Sequence, residues 1–425
     1  MLVTLLFLTF AVCLILGVPV GIALGLASAV YLIGAEIDLS VVAQYAYAGM
    51  DSFVLLCIPG FVLAGNLMNG GGITDQIVRF GNSLVGHIRG GLGLANVTGS
   101  MIFAGISGTA VAETASIGSV MIPAMRRAGY DAPFAAAVTA AASTVGPIIP
   151  PSVPMIIVGT LSGLSVGKMF LAGAIPGLLL GLAMMVTVYI VSVRRAYPRG
   201  EWAGFREIIR SSRGAFWALL MTAVILYGIV GGLFTPTEAS VVAAIYALVV
   251  GLFVYKGFRI RQIPAILLES AIGSGALILL VGFANVFGWI LTSEQIPQAI
   301  AAAMLSLTTN KYVIILLINI LLLIVGTFME TIAALIILFP PLLAVAVAVG
   351  VDPIHFAIIA VLNLMIGLTT PPVGVCLFVA ANIAKVSLGS VSKAIVPFLV
   401  CNIIVLFIVS YVPWVSLWLP SLYFK

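Results

Sequence analysis

Val145-Gly146-Pro147-Ile148-Ile149-Pro150-Pro151-Ser152 and Ile366-Gly367-Leu368-Thr369-Thr370-Pro371-Pro372-Val373 each interrupt a long apolar run near its middle. Proline lacks an N–H and its ring clashes with the preceding turn, so each stretch is expected to unwind a helix and free carbonyl oxygens. The two breaks are related. Upstream, Gly108-Thr109, Glu113-Thr114 and Pro123 match Gly326-Thr327, Glu330-Thr331 and Pro340, and Gly129-Tyr130-Asp131 matches Gly350-Val351-Asp352. Downstream, Pro176 matches Pro397. A period of about 220 residues is far too long for a solenoid and suits two halves of a transporter.

The rest of the chain explains why a break matters. Of 425 residues, 63% are hydrophobic and 7% charged, with a mean hydropathy of +1.29. A soluble domain carries about 25% charge, so the expectation is an all-α polytopic membrane protein whose solvent is the lipid bilayer. The four cysteines lie in apolar runs without metal-ligand spacing and read as small buried residues.

Spans are expected near 2–34, 53–68, 133–163, 169–193, 215–234, 238–255, 264–292, 354–384 and 394–417. The segments 92–125 and 312–343 carry polar or glycine-rich sequence in their middles and suit re-entrant hairpins. With both hairpins entering and leaving on one side, the arginines gather on one face, and only Lys168, Lys311 and Lys425 fall opposite. The positive-inside rule then makes the N-terminus cytoplasmic and the C-terminus periplasmic. It also gives the +5 balance a topological meaning, with no nucleic-acid partner implied. Five spans separate the hairpins, so the repeats are inverted.

Glu201–Arg213 alternates charge with Trp202, Phe205, Ile208 and Ile209, which predicts a short amphipathic helix along the cytoplasmic surface. The expected organisation is N-terminal scaffold helices over 1–91, a first repeat of hairpin plus broken helix over 92–193, and arm and central scaffold helices over 194–311. A second repeat over 312–393 and a C-terminal helix over 394–425 follow.

Freed carbonyls at membrane depth need a partner, and sodium with Ser, Thr and backbone oxygens is a natural one, one site per repeat. The first is expected at Ser107, Gly108 and Thr109 with Ser143, Thr144, Val145 and Gly146. The second is expected at Gly326, Thr327 and Met329 with Ile366, Gly367, Thr369 and Thr370. Pro150, Pro151, Pro371 and Pro372 are the helix-breaking residues. Glu113 and Glu330 stand at equivalent places in apolar hairpins, to balance cation charge, bind a polar substrate group or hold the tip by hydrogen bonds.

These residues, with Gly49-Met50-Asp51-Ser52-Phe53, Ile58-Pro59-Gly60-Phe61, His87-Ile88-Arg89-Gly90-Gly91, Phe103 to Ala110 and Gly367 to Gly374, resemble the DctM-like large membrane subunit of tripartite ATP-independent periplasmic (TRAP) transporters. The resemblance covers essentially the whole chain and is closest to the sialic-acid branch. It implies an elevator-type carrier in the bacterial inner membrane, driven by sodium ions, two or more, and not by ATP. It also implies a small four-helix membrane subunit, a soluble periplasmic substrate-binding protein, and a small carboxylate as substrate, N-acetylneuraminate first and C4-dicarboxylates or other organic acids as alternatives. On the family pattern, Ser107, Ser152 and Glu330 are the substrate contacts. The chain carries Glu at 113 and 330 where Asp is frequent in the family.

The competing enzyme reading rests on Gly105-Ile106-Ser107-Gly108, which has the form of a rhomboid-like intramembrane serine protease motif. Such a serine needs a histidine on a neighbouring helix, and neither His87 nor His355 maps there. No phosphate-binding loop occurs either. A channel is the third class, and matched inverted hairpins favour alternating access over it.

Overall fold

The computed structural model describes residues 2–424 apart from Gly108, with the side chains of residues 105–107, 301, 305 and 307 left out of the description. The fold is all-α. Among the described residues, six helices are long and apolar enough to cross a membrane, or up to eight if two bent pairs each count as one span.

The first hairpin has arms Gly91–Ser107 and Ala110–Arg127, and the helix after it is split into Ala132–Ser143 and Val153–Ser162. The second hairpin has arms Lys311–Phe328 and Thr331–Ala348, followed by Pro353–Gly367 and Val375–Ala384. Both breaks fall where the prolines stand, and Pro150-Pro151 and Pro371-Pro372 are both cis. Equivalent aspartates do different work. Asp352 caps its helix, accepting from the N–H groups of Ile354 at 2.9 Å and His355 at 3.0 Å. Asp131 turns outward to Arg195 at 3.0 Å and Tyr197 at 2.7 Å.

The repeats interlock. Helix 375–384, from the second, packs against 132–143 and 110–127 of the first, while 153–162 packs against 331–348 and 353–367. The exchange needs small side chains, and Ala135, Ala136, Ala137, Ala140, Ala141 and Ala142 are fully buried there. In lipid, such close backbone approach replaces the hydrophobic drive that water supplies to soluble cores. Helix 166–194 and the C-terminal helices 396–411 and 414–423 complete this body.

A second group of helices, 20–34, 40–50, 57–70, 204–230, 236–249 and 263–293, flanks it. Helix 73–85 joins the two groups by packing on both 204–230 and the first hairpin arm, and helix 296–307 lies against 331–348.

Five expectations are corrected. The single span over 2–34 is two helices, Leu2–Ile15 and Val20–Gly34, packed on each other. Gly17 takes a left-handed φ of 78° and Pro19 precedes the second helix, so the run turns inside its apolar sequence. The amphipathic segment is not a separate surface helix: Gly204–Val230 is one unbroken helix whose first turns carry the charges. Helices Ser40–Met50, Ile73–Val85 and Ile296–Leu307 were not expected. The last apolar segment is likewise divided, bending by 55° between Val396–Tyr411 and Trp414–Tyr423. Cys57 and Cys376 are buried as expected, whereas Cys13 and Cys401 are half-buried.

Candidate functional site

Each break meets its own hairpin at a glycine. Gly326 and Gly367 are in backbone contact: a Cβ on Gly367 would lie 2.6 Å from the Gly326 carbonyl carbon, and one on Gly326 would lie 3.1 Å from the Gly367 Cα. Around this contact the Gly374 N–H donates to the Thr327 carbonyl at 3.3 Å. The Ile366 carbonyl accepts the Thr369 and Thr370 hydroxyls, both at 2.9 Å, and the Thr369 N–H at 3.0 Å. Met329 follows in an extended conformation. Gly326, Thr327, Ile366, Gly367, Thr369 and Thr370 are thus brought together, with Met329 at the same tip.

The first repeat makes the corresponding contact through side chains. A Cβ on Gly146 would collide with the Glu113 carboxylate, and the Thr114 and Ser143 hydroxyls are 2.5 Å apart. Ser143, Thr144 and Val145 are fully buried. Ser143 and Thr144 donate to the carbonyls of Ala140 at 2.9 Å and Ala141 at 2.7 Å. The Cys376 thiol, from the other repeat, sits beside Thr114 and Ser143. Thr109 is extended ahead of the second arm. Gly108 and the Ser107 side chain lie outside the described residues.

The two hairpin carboxylates behave differently. Glu330 accepts from the N–H groups of Ile332 at 2.8 Å and Ala333 at 3.3 Å, capping the positive end of its helix. Glu113 is fully buried, and neither carboxylate oxygen has a hydrogen bond of ordinary geometry among the described residues, the Ser100 hydroxyl being the adjacent polar group. A carboxylate in that position is costly unless a proton or a cation joins it. Ser152 is also occupied, accepting from the Met155 N–H at 3.2 Å and donating to the Pro147 carbonyl.

Between the first hairpin and the flanking helices lies a cleft of about 250 Å³ lined by Asn66, Asn69, Phe103, Thr109, Ser116 and Glu269 among others. Asn69 crosses it to donate to the Ser116 hydroxyl at 2.7 Å, and Asn66 is held by Ser270 at 2.9 Å. The wall formed by Asn66, Asn69 and Glu269 was missed in the sequence. Its signal was there, as amides and one carboxylate inside apolar helices.

The protease geometry is not formed by the histidines. His355 is buried against the Ser416 hydroxyl at 2.6 Å and the Ser410 carbonyl at 3.3 Å, and His87 packs on the edge of Trp202.

Residues 7–415 match the family profile described as "Tripartite ATP-independent periplasmic transporter, DctM component". The chain belongs to this family. It is 43% identical over 408 residues, 96% of each chain, to the sialic acid TRAP transporter large permease protein SiaM of Vibrio cholerae. It is 44% identical over 371 residues, 87% of each chain, to the C4-dicarboxylate TRAP transporter large permease protein DctM of Pseudomonas aeruginosa. Among solved structures it is similar to the Alcanivorax borkumensis YdaH transporter, with a TM-score of 0.64 and 16% identity over 90% of this chain and 88% of that one. At that identity the likeness speaks for the fold. A TRAP large permease is a multi-pass inner-membrane transport protein, and the helices fit that role.

Proposed function

We propose that this chain is the translocating subunit of a sodium-coupled, binding-protein-dependent importer of a small carboxylate, with N-acetylneuraminate as substrate. The observation that carries the reading is the pair of hairpin-to-break contacts, Gly326 on Gly367 and Glu113 on Gly146. Each sets unwound backbone against a hairpin inside the membrane, where loose carbonyl oxygens are stable only with a partner. Sodium takes that place, one ion per repeat at least. The buried Glu113 carboxylate supplies counter-charge to the first.

The interlocked repeats form the moving body, and the flanking helices form the scaffold against which it slides. Ser107, Ser152 and Glu330 face substrate as sodium binding settles the hairpin tips, with the serine hydroxyls donating to the substrate carboxylate and Glu330 accepting from a substrate hydroxyl or amide. The polar cleft lies toward the arginine-rich end, because Asn69 is two residues from Gly71, which packs on Gly257 beside Lys256. With that end cytoplasmic, the N-terminus inside and the C-terminus outside, this is an inward-facing state. A small four-helix membrane subunit and a soluble periplasmic binding protein complete the system.

N-acetylneuraminate is placed first on the general run of the sequence. The two relatives named for sialic acid and for C4-dicarboxylates are 43% and 44% identical over 408 and 371 residues, so a dicarboxylate is the second reading. The test is uptake into liposomes holding the chain and its small partner, supplied with loaded binding protein. Accumulation only under an inward sodium gradient is expected, and uptake without sodium sinks the proposal.

A further inference from the structure

The helix Gly204–Val230 carries an unpaired basic stripe beside an exposed apolar one. Phe205, Ile209 and Phe216 share one stripe at i, i+4, i+11 and are 76%, 57% and 51% exposed. Arg206, Arg210 and Arg213 follow at i, i+4, i+7 on the adjacent stripe, exposed, with no ion pair among the described residues. The opposite face, Ser211, Ala215 and Ala218, is buried.

The helix is anchored on that buried side. Glu207 pairs with Arg79 at 2.6 Å, Ser211 meets Ser83 at 2.8 Å, and Gly214 abuts Gln76. Glu207, next to Arg206 and one turn before Arg210, is paired with Arg79, so one carboxylate stands among four guanidinium groups and the stripe stays net positive. Ahead of it, Trp202 stacks edge-on with His87 and Phe205, with ring centroids at 4.6 and 5.9 Å.

The depth fits a headgroup layer. From Arg213 to the end of the helix is about 26 Å at 1.5 Å per residue, close to the roughly 30 Å hydrocarbon core, so Arg213 stands near one boundary and Arg206 and Arg210 beyond it. An aromatic and aliphatic stripe in that layer needs acyl carbon against it. A row of guanidiniums beside it needs anions, and phosphate oxygens match the planar fork in pairs.

We infer that Arg206, Arg210 and Arg213, with Phe205 and Ile209, form a binding site for the headgroup of an anionic phospholipid on the scaffold side of the protein. Each arginine near an anionic surface favours binding about fivefold. The site holds lipid on the static helix that braces helix 73–85 against the first hairpin.

The test is native mass spectrometry of the full chain released from membranes holding phosphatidylglycerol and phosphatidylcholine in equal amounts. The wild type is expected to retain phosphatidylglycerol over phosphatidylcholine by about tenfold or more. Arg206→Gln, Arg210→Gln and Arg213→Gln together should bring the ratio near parity, and the same three positions changed to lysine should keep most of it. A control with Arg194→Gln and Arg199→Gln should retain the wild-type ratio. An unchanged ratio in the glutamine variant overturns the inference. So does equal loss in the lysine variant or the control, since the effect would then follow from fold damage or total charge. A photo-crosslinker at position 210 that captures a protein chain and no lipid overturns it in favour of a subunit interface.

Discussion

Replacing Gly367 with alanine probes the second hairpin-to-break contact at its tightest point. The added Cβ would stand 2.6 Å from the Gly326 Cα and carbonyl carbon and 2.9 Å from its oxygen. Carbon atoms pack at about 3.5–4.0 Å, so the hairpin must retreat by roughly 1 Å. Backbone cannot rotate away as a side chain can, and overpacking of this kind costs about 1–3 kcal/mol. Falling on the cation-bound arrangement, that is a loss of about fivefold to a hundredfold in sodium affinity. A sodium titration of the purified chain, read by thermal shift, measures it. The neighbouring change Gly326→Ala, whose Cβ would meet Gly367 Cα at 3.1 Å, should be milder. Gly146→Ala acts on the other repeat: its Cβ would displace the buried Glu113 carboxylate, so it should weaken sodium binding at the first site. Gly275→Ala, with nothing within 4 Å, should leave the titration unchanged. Wild-type sodium affinity in Gly367→Ala would refute the reasoning.

Glu330→Ala removes a half-buried cap that satisfies two N–H groups, so thermal stability should fall by about 1–2 kcal/mol, with Glu330→Gln losing less. Equal melting of all three proteins would remove the capping role. Asn69→Ala deletes the hydrogen bond to Ser116 that ties the scaffold to the first hairpin. At about 1 kcal/mol it should shift the balance between inward and outward states about fivefold, read as cysteine accessibility on either face, and Ser116→Ala should do the same. Ser107→Ala should lower uptake while leaving the purified protein monodisperse, and unchanged uptake would take Ser107 out of the site.

Legibility followed the physics of interruption. The hairpins and the two breaks were readable because Gly, Pro and hydroxyl residues stand out inside apolar runs, and Glu330 and Asp352 precede their helices as capping residues do. The bend at Gly17 and Pro19 escaped because apolar sequence continues on both sides of it. Helix 73–85 escaped because a one-sided amphipathic helix does not read as a span. The exchange of half-helices between repeats has no sequence signature: Cys376 beside Thr114 and Ser143 is a consequence of packing between residues far apart in the chain. Asn66, Asn69 and Glu269 were visible as polar residues in apolar helices, but only the fold shows that they share one cleft.

The coupling of sodium to substrate is the central claim, and its most direct measurement is steady-state accumulation at zero membrane potential across a series of sodium ratios. Two cation sites, one per repeat, predict that the internal-to-external substrate ratio rises as about the square of the sodium ratio or more steeply. An accumulation ratio that does not change with the sodium gradient would contradict it.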